Sequence, residues 1–341
     1  MRNKTIIIAE AGVNHNGDIN LAKKLVDVAV EADVDYIKFQ TFKAETLVSM
    51  KASRASYQIA NSNRKEETQF EMLKNLEISE EDHLTLFEYC KSRKIKFLST
   101  AFDPDGLDFL NKLGIDLMKI PSGEITNLPY LQKISSFGKP IILSTGMASM
   151  SEIDEAFQVL IGNNVPICDI TILHCNTAYP TPMSDVNLLA MLSIKDKYGV
   201  KIGYSDHTLG IEVPIASVAL GAEIIEKHIT LDKSLEGPDH KSSLNPEELK
   251  DMVMCIRNIE SACSGSGRKT VSKSEKANKT HSRKSIHLKS GLKKGQVIAE
   301  SNLIMLRPGD GISPMKINSL VGKTVNKTIG PLTKIDFKDF D

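Results

Sequence analysis

A chain of 341 residues with 41% hydrophobic content can bury one large core or two ordinary ones, which excludes a disordered or fibrous class. Lys plus Arg and Asp plus Glu both number 43, so the whole chain has no net field to attract nucleic acid or an anionic membrane surface. The five cysteines, Cys90, Cys168, Cys175, Cys255 and Cys263, are odd in number and lack a CxxC pair, which favours reduced thiols and a cytoplasmic setting over a disulfide framework.

In chain order, a short basic start passes directly into TIIIAE at 5, with no apolar stretch long enough for a signal peptide or a membrane span. A helix is predicted from INLAKKLVDVAVEA at 19, with Asp18 as N-cap and apolar residues recurring at three and four. Further strands are predicted at DYIKFQ (35), IKFLST (95), DLMKIP (116), PIILST (140), ITILHC (170), VKIGYS (200) and AEIIEKH (222). Each is apolar enough to be a parallel strand buried on both faces. Eight βα repeats before about residue 264 fit a (β/α)8 TIM barrel, usually about 250 residues, better than a doubly wound open sheet. The segment 42–79 is too long for a simple connection. It contains one weak helical stretch and is expected to be an excursion that covers the barrel mouth.

After NPEELKDMVMCIRNIESA the polar, basic stretch 265–282 is expected to be a linker. From 283 to 341, short apolar pieces (SIHL, QVIA, LIML, LVGKTV) between glycine and proline turns predict a small β-rich domain.

Nearly every predicted strand ends in polar residues after a run suited to a dry core: Glu10, Lys38 with Gln40, Ser99 with Thr100, Lys119 with Ser122, Ser144 with Thr145, His174 with Asn176, Ser205 with His207, and Glu226 with His228. Barrels build their active sites at that rim. Any one of these residues is as well explained by a side chain bonding the next turn, and only their convergence points to chemistry. Lys38 and Lys119 sit in apolar surroundings (YIKFQ, LMKIP) that call for an anionic partner. With Ser122, Ser144 and the adjacent Gly123 and Gly146 they would cradle a phosphate and a carboxylate, whereas a salt bridge from Lys119 to Glu124 or Glu226 is the plainer alternative. His207 and His228 end neighbouring strands about 5 Å apart, so both imidazoles can face one ion. Without a cysteine beside them, an octahedral ion such as Mn²⁺ suits the pair better than structural Zn²⁺. Glu226 shares the strand face of His228, and Glu10 and Asp239 are the other carboxylates placed near such an ion.

The blocks AEAGVNHNGD, KFQTFKAE, KIPSGEITNLPYL, ILSTGMA, LHCNTAYPTP, GYSDHTLGI and EKHITLDKSLEGPDHKSS, in this order, resemble the sialic acid synthase family. SGLKKGQVIAESNLIMLRPGDGISP resembles the antifreeze-like (SAF-type) domain that these enzymes attach to the barrel. The resemblance implies condensation of phosphoenolpyruvate with the open chain of an N-acyl mannosamine-type sugar, with a divalent metal ion (Mn²⁺, or else Mg²⁺ or Co²⁺) held by His207 and His228. It also implies that Lys38, Lys119, Ser122, Ser144 and Ser205 contact phosphoenolpyruvate, with Thr100, Asn176 and Tyr179 beside them. Glu10, Glu226 and Asp239 would be the catalytic carboxylates, with Glu226 managing protons at the aldehyde. Arg307 would reach the partner's site in a domain-swapped homodimer, although RPGDG taken by itself reads rather as an ordinary turn carrying a solvated arginine. The blocks suit both N-acetylneuraminate and N,N'-diacetyllegionaminate synthases. Two other functions stay open: a Schiff-base aldolase using Lys119, and a non-catalytic sugar-binding protein.

Overall fold

The computed structural model describes residues 4–61 and 67–341. The chain divides into two compact units, 1–264 and 265–341.

The first unit opens with β1 (Ile6–Gly12), α1 (Ile19–Glu31) and β2 (Tyr36–Thr41). Three short helices follow, α2 (Ala44–Leu47), α3 (Ser56–Ala60) and α4 (Gln69–Leu76). The alternation resumes with α5 (Glu80–Arg93), β3 (Lys96–Ala101), α6 (Pro104–Leu113), β4 (Met118–Ile120), α7 (Leu128–Ser135) and β5 (Ile141–Ser144). It ends with α8 (Met150–Gly162), β6 (Ile170–Cys175), α9 (Ala190–Tyr198), β7 (Lys201–Asp206), α10 (Glu212–Leu220), β8 (Ile224–His228) and α11 (Pro246–Ala262).

All eight strands are parallel in the order β3-β2-β1-β8-β7-β6-β5-β4, and β3 packs beside β4 to complete a TIM barrel. The cause is the one expected of continuous apolar runs: Ile7 and Ile8, Ile142 and Leu143, and Ile172 and Leu173 are all fully buried, so both faces of each strand are covered. Gly203 serves the closure, because a Cβ there would stand 2.3 Å from the Ile224 carbonyl oxygen and 2.5 Å from Leu173 Cδ2. Helix α1 starts where expected, with Asp18 accepting from Asn20 N, and buries Ala22, Leu25, Val26 and Ala29 against the sheet. Capping boxes at Ser79, Ser149 and Asn245 fix the starts of α5, α8 and α11, each cap contributing about 1 kcal/mol.

The excursion differs from the single weak helix expected, since three helices of four to eight residues form instead. Residues 62–66 of it lie outside the described residues. Met72 and Leu76 of α4 join Val13 and Phe42 in a small apolar cluster that anchors the segment. Tyr57 of α3 stacks on Tyr179 at 5.0 Å, and Asn61 Nδ2 donates to the Pro238 carbonyl at 2.8 Å, so the excursion does cover part of the rim.

In the second unit, α12 (Glu275–Ser282) precedes an antiparallel pair, β9 (Ser285–Leu288) and β10 (Leu303–Leu306). Single bridges such as Leu292 to Ile329 and Val325 to Phe340 extend the sheet irregularly around Ile286, Leu288, Leu320 and Val325. Helix α12 falls inside the stretch expected to be linker. It buries no side chain, which is why no apolar period marks it. Its start is fixed by Ser272 and Glu275, which exchange bonds at 2.9 and 3.3 Å. Among the described residues, no helix is long and apolar enough to cross a membrane.

Candidate active site

The C-terminal ends of the barrel strands surround a cavity of about 180 Å³, lined by residues from all eight. In the parallel register Glu10 is the partner of Lys38, and Ser205 the partner of Glu226, so strand alternation turns these four side chains into one space. Lys38 Nζ stands 2.7 Å from Glu10 Oε2 and donates to Thr100 Oγ1 at 3.0 Å. Lys119 Nζ meets both oxygens of Glu226 at 2.9 Å, and Ser205 Oγ donates to Glu226 Oε1 at 2.9 Å. Of the two salt bridges weighed for Lys119, the one to Glu226 forms, while Glu124 accepts from Asn127 instead.

Burial and charge divide the four ionisable groups. Burial raises the Glu10 carboxyl, and Lys38 opposes this only in part. Burial would also raise Glu226, but Lys119 and Lys38 outweigh it and hold that carboxyl well below the usual range. For Lys38 the burial penalty is overcome by Glu10 and Glu226 and the ammonium is strengthened, whereas for Lys119 burial prevails and lowers it. One carboxylate is therefore firmly ionised and the other readily protonated. With Glu10 protonated the pocket carries surplus positive charge and suits an anion.

Short donors surround that charge. Ser144 Oγ is buried without a hydrogen-bond partner among the described residues. Ser122 Oγ accepts from Gly146 N at 2.9 Å, and a Cβ on Gly146 would come within 2.9 Å of that oxygen and 2.6 Å of Thr177 Cγ2.

On the opposite side the rings of His207 and His228 lie 5.3 Å apart. Burial pushes His207 down to about 4 and holds His228 well below its usual value, so both imidazoles are neutral, the form that binds metals. His207 Nδ1 donates to the Asn176 carbonyl at 2.5 Å, which leaves the Nε2 lone pair free for a metal ion, and His228 Nδ1 is buried without a hydrogen-bond partner among the described residues. These residues fit a divalent cation. No group of three or more His, Cys, Asp or Glu ligands occurs among the described residues. The protein would therefore supply two nitrogens and leave the other positions to water or substrate oxygens.

Not every strand-end residue joins. Ser99 Oγ bonds Thr41 on the outer face, Thr145 Oγ1 donates to the Leu173 carbonyl, and His174 Nε2 pairs with the Val186 carbonyl. Asn176 turns its amide into its own loop, where Oδ1 accepts from Ala178 N at 2.8 Å, and only its carbonyl reaches the site through His207. Asp239 stands behind the cavity, 3.8 Å from His228 Nδ1, and burial pushes it up to about 7. Tyr179 covers the histidines, its ring 4.0 Å from His207. Arg307 is exposed in the second unit and donates from Nε to the Ser282 carbonyl.

The sequence pattern of the NeuB family matches residues 25–269, and that of the SAF domain matches residues 283–341. This chain belongs to the NeuB family. N,N'-diacetyllegionaminic acid synthase of Campylobacter jejuni is 51% identical to it, covering 95% of this chain and 96% of that protein. The protein of the same name from Legionella pneumophila is 48% identical over 96% and 92% of the two chains. Among solved structures, the N-acetylneuraminic acid synthetase of Leptospira borgpetersenii, in complex with citrate, matches with a TM-score of 0.72 at 36% identity, covering 81% of this chain and 90% of that one.

Beside the expected residues, this NeuB-family site includes Cys175, Thr177 and Met147 in the cavity wall and Tyr57 above Tyr179. Cys175 ends its strand as plainly as His174 and is found by counting alternation from Leu173. Tyr57 had no such signal, because its place depends on how the excursion folds back.

Proposed function

We propose that this chain condenses phosphoenolpyruvate with 2,4-diacetamido-2,4,6-trideoxymannose, giving N,N'-diacetyllegionaminate and phosphate. The observation that carries the reading is one cavity with two buried lysines and the Ser144 hydroxyl, unpartnered among the described residues, on one side and two neutral histidines on the other. The legionaminate branch is favoured over the sialate branch by identity: 51% and 48% to the two legionaminic acid synthases, against 35% to the human N-acetylneuraminate-9-phosphate synthase.

In this reading Lys38, Lys119, Ser122, Ser144 and Ser205 bind the phosphate and carboxylate of phosphoenolpyruvate, with Thr100 steadying Lys38. C3 of phosphoenolpyruvate attacks the sugar aldehyde and forms the new carbon–carbon bond. The aldehyde oxygen takes up a proton to become a hydroxyl, water adds to the cation left at C2, and phosphate departs by C–O cleavage as that water gives up both protons, one balancing the new hydroxyl and one leaving with the phosphate. His207 and His228 would hold a divalent ion, Mn²⁺ by preference over Mg²⁺ or Co²⁺, which when bound supplies Lewis-acid polarisation of the aldehyde. Glu10 is better suited than Glu226 to carry protons, since Glu226 is fixed by Lys119 and Ser205 while Glu10 is raised by burial. Tyr179 would hold a sugar hydroxyl, and Asp239, beside His228 Nδ1, would act through that ring. Arg307 of a second copy would complete the sugar pocket in a swapped homodimer, and the enzyme would work in the cytoplasm.

Incubation with phosphoenolpyruvate, Mn²⁺ and a panel of N-acetylmannosamine and diacetamido-trideoxy sugars tests both reaction and substrate through product mass. Phosphate release only when all three are present, abolished by EDTA, is the expected result. Release without sugar, or turnover undiminished by EDTA, overturns the mechanism. The lowered Lys119 ammonium keeps an aldolase in view, and a pyruvate adduct trapped on Lys119 by borohydride would replace the synthase reading.

A further inference from the structure

The seam between β7 and β8 carries a second pair of charges that faces away from the cavity. Asp206 and Lys227 are partners across that seam. Asp206 sits between Ser205 and His207, and Lys227 between Glu226 and His228, so strand alternation sends both outward. There they are completely buried, at 0% exposure. Lys227 Nζ donates to Asp206 Oδ2 and to the Thr208 carbonyl, both at 2.5 Å. Asp206 in turn accepts from Thr208 N at 3.0 Å and from Thr208 Oγ1 at 2.9 Å. The other charges that act on Lys227, those of Lys233 and Glu248, are satisfied by each other at 2.6 Å.

An ion pair wholly removed from water is a poor way to stabilise a fold, because desolvation offsets the attraction and well-packed apolar residues often do as well or better. What this pair does accomplish is local. It ties residues 206 and 208 of one strand end to residue 227 of the next, and these are the residues that flank the two histidines. Hydrogen bonds do little to orient the rings directly: His207 Nδ1 meets one carbonyl, His228 Nδ1 has no hydrogen-bond partner among the described residues, and their neighbours in the site include the Tyr179 ring, 4.0 Å from that of His207, and Asp239, 3.8 Å from His228 Nδ1.

We propose that Asp206, Lys227 and Thr208 form a positioning cluster that sets the spacing and direction of His207 and His228 from behind the barrel wall. The inference rests on the synthase reading for what the histidines hold, and it predicts that removing the cluster harms cation binding more than it harms the fold.

The test compares wild type, the double variant Asp206→Leu/Lys227→Met and the single variant Thr208→Val. Mn²⁺ is titrated without substrate and read by the EPR signal of the free ion, alongside thermal melts and steady-state kinetics. The double variant is expected to keep its Tm within about 5 °C of wild type while Mn²⁺ affinity falls roughly 10- to 100-fold, the range of outer-shell effects at metal sites. Its kcat should fall by a similar factor, with KM for phosphoenolpyruvate within about threefold. Thr208→Val should weaken Mn²⁺ by a smaller factor, and it decides alone if the double variant does not fold. Mn²⁺ affinity within twofold of wild type in the folded variants, with or without a lowered Tm, overturns the inference. Wild type that binds Mn²⁺ but forms no product sinks the synthase reading and leaves the cluster to be judged by affinity. Wild type that binds no Mn²⁺ overturns both.

Discussion

The two units of this chain carry opposite charge. Residues 265–341 hold 16 basic and 6 acidic side chains, a net of +10, and residues 1–264 hold the remaining 27 and 37, a net of −10. They also place that charge differently. Among the described residues the buried charged side chains belong to the barrel unit, from Glu10 and Lys38 to Lys227 and Asp239, with Asp339 as the exception in the other. The difference teaches that a whole-chain charge of zero excludes a global field and nothing finer. It also separates two uses of charge: desolvated groups paired at fixed distances in the barrel, and solvated groups that shape a field in the small unit.

The largest effects should follow from breaking the buried set. Lys119→Met leaves Glu226 without the ammonium that both its oxygens meet. Stability of the barrel unit should fall by about 3–5 kcal/mol, the usual result of removing one partner of a buried pair. Turnover should fall by at least roughly 10²-fold, as when a preorganised polar group is lost. Lys316→Met, at an exposed position of the second unit, should leave both unchanged within about twofold and 0.5 kcal/mol. Phosphate release and thermal melts check the pair, and equal losses at the two positions would erase the distinction between buried and solvated charge.

Two core truncations sharpen the same comparison. Ile172 and Ile286 are both fully buried, one in each unit's own apolar cluster. Either change to Ala should cost about 2–4 kcal/mol. In scanning calorimetry Ile172→Ala should lower the larger transition and Ile286→Ala the smaller. A single transition moved equally by both would mean that the units unfold as one.

Much of the barrel was legible in the sequence because parallel strands covered on both faces read as unbroken apolar runs, and all eight appear where such runs occur. The rim was legible because a polar residue ending such a run faces either the cavity or the next turn. Which of the two it faces was not. Ser144 and Asn176 look alike as strand ends, yet one hydroxyl lines the site without a hydrogen-bond partner among the described residues and the other side chain folds back on Ala178 N. Lys227 was hidden for the opposite reason. In EKH three polar residues run together, and a polar run suggests exposure, whereas here the middle residue is buried outward against Asp206. Helix α12 left no apolar period because it buries nothing.

Acid should separate the units further. His15 and His83 are buried in the barrel, and burial lowers both, His15 to about 4. An unfolded histidine takes its proton near pH 6.5. Between that pH and the folded value the unfolded state binds more protons at these two residues, so their contribution is fully present above about pH 7 and declines as pH falls towards 4, while Glu10 and Asp239, raised by burial, take up protons in the folded state and offset part of the loss. The loss should be on the order of a few kcal/mol, confined to the larger transition, and relieved in part by His15→Gln. An equal change in Tm from pH 7 to 5 for wild type and His15→Gln would show that this histidine protonates without opening the fold.

The smallest effect concerns the solvated charge. If the +10 unit draws an anionic substrate towards a site embedded in a −10 unit, kcat/KM for phosphoenolpyruvate should fall about two- to fivefold between 20 and 300 mM NaCl, as the Debye length shortens, while kcat stays level. Changing the exposed Lys316, Lys323 and Lys338 to Glu should lower kcat/KM at low salt by a similar factor and flatten the salt dependence. Neither change touches the ammonium groups of Lys38 and Lys119, which are held within 3 Å of their carboxylates and are poorly screened by added salt. A rise of kcat/KM with salt would instead assign the encounter to the repulsive field of the barrel. In that case the basic unit would take no part in bringing the anion to its site.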